Sequence, residues 1–303
     1  MTDAPVRVLY ITGWLRTGST LLGNVLNELP GVLHAGELHY LWRNGVLRTG
    51  TNTLCGCGKD LADCPLWSAV AAEQDPGTAR RMETWQQTLF RTRHTRRRLA
   101  EARGGRAPAL GVREALDQMV GLYETVARHS EARTIVDGSK YPAEPAALLG
   151  RPEIDLRIVH LVRDPRAIAY SYRKSKDYID PRTPTDSTRH WTAANAASEL
   201  AGRAAAGRYL RVRHEDLAAE PRATLARVMA FAGLPGDPPV TADGTAVLGA
   251  NHTVTGNPDR LRRGPVAIRP DDAWRKGLAP SDAAVATALA GPLLRRYRYP
   301  LRP

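Results

Sequence analysis

The stretch Val6-Arg7-Val8-Leu9-Tyr10-Ile11-Thr12-Gly13-Trp14-Leu15-Arg16-Thr17-Gly18-Ser19-Thr20 holds the reading on which the fold turns. Residues 6–12 are a short run of β-branched and apolar side chains, a strand by composition. A glycine-bearing turn follows from Gly13 to Gly18. From Ser19 to Leu29, Leu22, Val25, Leu26 and Leu29 recur at helical spacing. The same grammar returns at Ala132 to Asp137 before Gly138, and at Asp155 to Val162 before Arg163-Asp164-Pro165. A fourth run, Arg208 to Val212, leads through a turn at His214 to Asp216 into a helix from about Pro221 to Ala232. Strands this apolar are covered on both faces. Alternating with helical stretches, they specify an α/β fold with a central, mainly parallel sheet flanked by helices.

The 303 residues, 43% of them hydrophobic, suffice for one α/β domain over 1–303, and no linker interrupts them. Between the first and second runs lies a helical insertion at about 68–130, including Met82 to Ala102 and Arg113 to Arg128. Residues Thr241 to Pro270, rich in Gly, Pro, Asn and Arg, read as a functional loop. Ser281 to Tyr297 closes the chain as a helix with Ser281 as N-cap. The start lacks a basic leader with a cleavage site, and no apolar run approaches about 18 residues, so a cytoplasmic protein without membrane insertion is expected. All three cysteines fall between Cys55 and Cys64, which rules out a disulfide framework for most of the chain. The formal charge of +12 calls for an anionic partner. Much of that excess, as in Arg91 to Arg106, reads as a solvated helix face. With 6% aromatic residues, hardly any beside the arginines, a stacking surface for single-stranded nucleic acid is disfavoured.

Gly13 and Gly18 have the spacing of a P-loop, but Ser19 stands where G-x-x-x-x-G-K-[ST] requires lysine. N–H groups at the start of a helix still cradle anionic oxygens. The lysine that reaches the outer phosphates of a nucleoside triphosphate is missing, and no strand-end aspartate clearly serves magnesium. The cation of this loop is Arg16, ahead of the second glycine.

Arg16-Thr17-Gly18-Ser19-Thr20 resembles the 5′-phosphosulfate loop of sulfotransferases that use 3′-phosphoadenosine 5′-phosphosulfate (PAPS). Leu161 to Ser171, with Arg163 at the strand end and Ser171 eight residues on, is similar to that family's 3′-phosphate motif. A bidentate cation and a hydroxyl suit that phosphate. Asn251 to Pro258 running into Arg260, Arg262, Arg263 and Gly264, with Trp274 beyond, resembles the late loop of bacterial members, which supplies basic groups to the nucleotide. His214 to Leu217 followed by Pro221 resembles a recurring family segment, read here as a turn and helix cap. The resemblance is absent between about 68 and 130. It implies a P-loop-like three-layer fold, PAPS as cosubstrate and no required metal; the lack of a secretion signal favours a small-molecule acceptor with a hydroxyl or amine, and the helical insertion is expected to shape its site. By the same resemblance Ser139 and Lys140 line the cofactor pocket. Asp137-Gly138-Ser139-Lys140 reads equally as a strand-end turn.

For the general base, Glu37 ranks first and His39 second, with His34 a further competitor, since family members use either a glutamate after a glycine or a histidine. Cys55-Gly56-Cys57-Gly58 and Cys64 invite a zinc reading, but three clustered thiols lack a fourth ligand at a standard spacing, so no metal is expected. The family resemblance, which extends to Pro65-Leu66-Trp67, implies a structural hairpin with a local disulfide or buried thiols. An atypical nucleoside-triphosphate enzyme is the runner-up, and a basic nucleic-acid-binding protein, motivated only by charge, comes after it. Self-association into a homo-oligomer is compatible with the sequence.

Overall fold

The computed structural model describes residues 5–173 and 180–302. Five strands form one parallel sheet: β1 (Val6–Gly13), β2 (Val32–Gly36), β3 (Thr134–Lys140), β4 (Ile154–Val162) and β5 (Tyr209–Arg213), in the order β2-β3-β1-β4-β5. Short β6 (Thr245–Leu248) and β7 (Gly264–Ala267) pair as an antiparallel hairpin inside the stretch read as an irregular loop. Helix α1 (Ser19–Leu26) follows β1; α2 (Pro65–Ala72), α3 (Pro76–Leu89), α4 (Thr95–Ala102) and α5 (Leu110–Ser130) separate β2 from β3. Next come α6 (Ala143–Leu148), α7 (Pro165–Arg173), α8 (Pro184–Ala204), α9 (His214–Ala219), α10 (Pro221–Ala232), α11 (Ala273–Gly277) and α12 (Pro280–Arg296).

Side chains alternate across a strand, so β1 supplies two cores. Val8 and Tyr10 join Ile135, Leu156 and Ile158 under α5 and α6. Leu9 and Ile11 join Val136, Val159, Leu161 and Val212 under α1 and α10. This is the three-layer α/β arrangement that the sequence implies. No helix among the described residues is long and apolar enough to cross a membrane.

Several boundaries differ from the sequence reading. Helix α1 stops at Leu26, because Leu29 precedes Pro30 and that position disfavours helix. The expected helix over Met82 to Ala102 breaks where Phe90 turns fully into the core. Segment α12 starts at Pro280 with Ala279 as N-cap, so Ser281 is not its cap. The turn expected at His214 to Asp216 opens α9 instead.

Three buried histidines couple the fold to pH. Burial lowers His34 to about 3 and His160 to about 4. Burial, with Arg163 beside it, lowers His214 to about 3. Each binds a proton in the unfolded chain below its ordinary 6.5 and in the folded chain only well below that, so stability falls as pH drops through this window. Asp137 acts in the opposite sense: burial, then Glu144, push its carboxyl up to about 6, so the folded chain takes up that proton first. Glu215, raised by burial, adds to the offset. The expected net is a decline below about pH 6.5, each unbalanced proton contributing roughly 1 kcal/mol per pH unit. Urea unfolding across this range checks it; His160→Gln is expected to flatten the slope, and an identical slope contradicts the assignment.

Candidate active site

The C-terminal edge of the sheet gathers one chemically distinctive residue after each strand. Glu37 follows β2, Lys140 ends β3, the Gly13–Gly18 loop follows β1, Arg163 follows β4 and His214 follows β5. From β1 the chain leads to one edge, and from β3 it crosses back over β1 to reach β4. In open parallel sheets, ligands bind at the carboxyl ends of strands where the connections part in this way.

Loop geometry explains the glycines. Gly18 has φ +88°, and a Cβ there would lie 2.6 Å from His214 Nδ1, so only glycine fits under that ring. Arg16 sits at φ 68°, a left-handed conformation that costs a non-glycine residue strain and is typical of functional turns. Thr17 Oγ1 donates to the Trp14 carbonyl at 3.1 Å and closes the turn. Gly18 is the N-cap of α1 and offers no side chain, which leaves first-turn N–H groups for an anion.

Two clefts flank the loop, and Arg16 borders both. The first, about 420 Å³, is lined by Arg16, Asn24, Arg163, Ser171, His214, Arg262 and Trp274, among others. Here Arg16 Nε donates to Ser171 Oγ at 3.1 Å, while Arg163 donates to the Arg16 carbonyl at 3.1 Å and to Asp271 at 2.8 Å. Burial works against the Asp271 carboxylate, yet Arg163 holds its pKa below the ordinary value. Arg166, inside this motif but given no role by the sequence reading, is wholly buried. It grips Asp164 through two bonds of 2.9 and 2.7 Å and lies 4.7 Å from the Trp274 ring centre, locking the turn that carries Arg163.

The second cleft, about 330 Å³, is lined by Arg16, Ser19, Thr20, Glu37, Tyr40, Arg43, Asn44, Asn52, Lys140 and Thr255, with others. Lys140 Nζ pairs with Glu37 and also donates to the Gly138 carbonyl at 2.8 Å. His39, two residues on, is 8% exposed and borders neither cleft: its Nδ1 pairs with Glu144 Oε1 at 2.5 Å and its ring stacks on Tyr141 at 4.0 Å. Ser139 is likewise internal, donating to Asp137 at 2.5 Å and accepting from the His39 N–H at 3.0 Å. His34 reaches the narrow recess between Gly36 and Gly138, with Nδ1 3.0 Å from Asn24 Oδ1. None of the residues lining the two clefts comes from 68–130; that segment packs behind residues 42–46, with Glu83 3.8 Å from Arg43.

The late loop reaches the site by docking on the sheet edge. Glu37 N–H donates to the Val254 carbonyl at 2.8 Å and Val254 N–H to that of Ala35 at 2.9 Å. Gly36, at φ +83°, permits this: a Cβ would meet the Val254 oxygen at 2.3 Å. Among its cations, Arg262 lines the first cleft. Arg260 is buried and braces the loop, donating to the carbonyls of Gly256 and Leu54 and to Asn52. Arg263 turns outward to the Cys57 carbonyl at 2.7 Å, and Gly264 pairs with Leu248 in the hairpin; neither lines a cleft. The expectation that the thiols lack a fourth ligand is corrected here. His252, from this same loop, stands with Cys55, Cys57 and Cys64, all four donor atoms within 4.8 Å of one another, and none of the thiols is in a disulfide.

Residues 9–238 match the sulfotransferase family. Carbohydrate sulfotransferase 6 of Homo sapiens is 37% identical over 107 residues, 29% of this chain and 27% of that protein. Carbohydrate sulfotransferase 3 of Homo sapiens is 29% identical over 170 residues, 50% of this chain and 35% of that protein. The chain thus spans about a third or less of the length of these relatives. Among solved structures, the sulfotransferase domain of the Synechococcus PCC 7002 olefin synthase superposes with a TM-score of 0.54 at 21% identity, covering 99% of this chain and 98% of that one. The sulfotransferase domain from the curacin biosynthetic pathway gives 0.51 at 15%, with complete coverage of both. With a family match over most of its length and the corresponding three-layer fold, this chain belongs to the sulfotransferase family.

Proposed function

We propose that the protein is a single-domain enzyme that transfers the sulfuryl group of PAPS to a hydroxyl of a small, polar acceptor. The observation that carries this reading is the position of Arg16: it borders both clefts, with Arg163 and Ser171 on one side and Glu37 and Lys140 on the other. The first cleft takes the adenosine 3′,5′-bisphosphate half, its 3′-phosphate on Arg163, Ser171 and Arg262. The loop Arg16-Thr17-Gly18-Ser19-Thr20 takes the 5′-phosphosulfate. In the second cleft the lining is polar, including Arg43, Asn44, Asn52 and Thr255, which suits an acceptor bearing several hydroxyls. The two human relatives, named for carbohydrate sulfation, favour the same class.

In the step itself, the acceptor oxygen forms a bond to sulfur as the bond from sulfur to the phosphate oxygen breaks, with the three atoms roughly in line, by analogy with phosphoryl transfer. Arg16 and the loop N–H groups meet the charge growing on the leaving phosphate. Glu37 takes the acceptor proton, and Lys140 holds its carboxylate in place. His39 is tied to Glu144 beneath this layer and supports it.

Calorimetry with adenosine 3′,5′-bisphosphate tests the reading. One saturable site is expected, weakened by at least about tenfold in Arg163→Ala, in keeping with the loss of charge-assisted bonds. Tighter binding of ATP with magnesium than of the bisphosphate would overturn it in favour of a nucleoside-triphosphate enzyme.

A further inference from the structure

A second constellation lies outside both clefts and takes no part in the proposed transfer. Cys55 and Cys64 are fully buried, while Cys57 and His252 are half-buried. His252 Nδ1 lies 3.2 Å from Cys64 Sγ and 3.9 Å from Cys55 Sγ. Tetrahedral zinc, with bonds of about 2.3 Å to sulfur and 2.0 Å to nitrogen, sets its donors roughly 3.5–3.8 Å apart. These separations already bracket that spacing.

The surroundings are those of a built site. Residues 55–58 form a tight knuckle: Gly58 N–H donates to the Cys55 carbonyl at 2.9 Å, Cys55 N–H to that of Lys59 at 2.8 Å, and Cys57 N–H to Cys55 Sγ at 3.4 Å. Cys64 caps α2, where free amide donors favour a thiolate, the form that binds metal. Trp67 Nε1 donates to the His252 carbonyl at 2.6 Å and fixes that residue from behind. The four donors arrive from segments 188 residues apart, and Gly56 N–H bonds the Thr253 carbonyl across the junction at 3.0 Å.

We infer that Cys55, Cys57, Cys64 and His252 bind one zinc ion as a closed, four-coordinate structural site. Three sulfurs and one imidazole select zinc over hard cations, and four protein ligands leave no open position for a reaction. The ion clips the Cys55–Cys64 hairpin to the late loop, the loop that delivers Thr255, Asn257 and Arg262 to the clefts. It thereby orders the rim of the site without touching the ligand.

Metal analysis of the purified full chain, expressed with added zinc, tests this. One zinc per chain is expected to survive gel filtration and to be released when the thiols are mercurated. Cobalt substitution is expected to give the visible bands and thiolate charge transfer of a tetrahedral sulfur-rich site. Cys57→Ser and His252→Ala are expected to cut zinc content at least about tenfold, and His252→Cys to restore it. A folded wild-type chain that takes up no zinc on reconstitution and shows three reactive thiols overturns the inference, as does a disulfide found among the three. Both outcomes are read on the wild type, so an unstable variant does not blunt the test. Neither depends on sulfuryl transfer.

Discussion

Replacing Arg16 by alanine is expected to lower turnover with the sulfated nucleotide by about 10² to 10³, the usual loss when a donor aimed at a developing oxyanion is removed. Affinity for adenosine 3′,5′-bisphosphate is expected to change less, because Arg163, Ser171 and the α1 amides still face the first cleft. The companion change, Arg163→Ala, is expected to show the reverse: weaker binding by about 1.5–3 kcal/mol, with the chemical step in saturated enzyme less affected. Single-turnover rates at saturating donor, set against calorimetric affinities, separate the two. Equal losses in both quantities for both variants would refute the division of labour. Arg16 already occupies a left-handed backbone position, so alanine inherits that strain rather than creating it.

Glu37→Gln is expected to reduce kcat by about 10² to 10⁴ while leaving nucleotide affinity near its original value, because the amide keeps the shape and loses the proton acceptor. His39→Gln is expected to behave differently. Its ring is buried against Tyr141 and bonded to Glu144, so the cost falls on stability, leaving Glu144 short of a partner in the interior. Thermal unfolding and kcat measured side by side distinguish a base from a brace. A large kcat loss in His39→Gln with unchanged unfolding would move the assignment to the histidine.

Strands β1, β3 and β4 were legible because each is a dense apolar run followed at once by a turn, and β5 as a short run leading into a helix. Strand β2 was not: it is five residues long, carries His34 in its middle and ends in Gly36, so neither alternation nor apolar density announces it. Its burial comes from lying under the late loop and beside β3, which only tertiary structure reveals. The hairpin β6–β7 escaped for a like reason, four residues a side in a stretch of glycine and proline. Arg16 and Arg163 could be placed at the clefts because each follows a legible strand, whereas Ser171, inside α7, and Glu37, after the hidden β2, were singled out by the family resemblance alone. Ser139 and His39 could not be separated from cleft residues by spacing, since which side of a strand end faces inward depends on the packing of Asp137, Glu144 and Tyr123 beneath it. His214 stood in a segment that resembles a family feature but was read as a turn and helix cap; the glycine that makes room for it lies far away in the chain. The thiol cluster shows the limit most clearly, because its fourth member stands 188 residues from Cys64 and no motif spans such a gap.

The bond from Arg163 to the main-chain oxygen of Arg16 ties together the two sites proposed to hold the nucleotide. Arg16 answers through its own side chain, donating to Ser171, so the link runs in both directions. Under the proposed function, discrimination among adenine nucleotides is expected to draw on both sites, so a mononucleotide missing either terminal group is expected to bind more weakly.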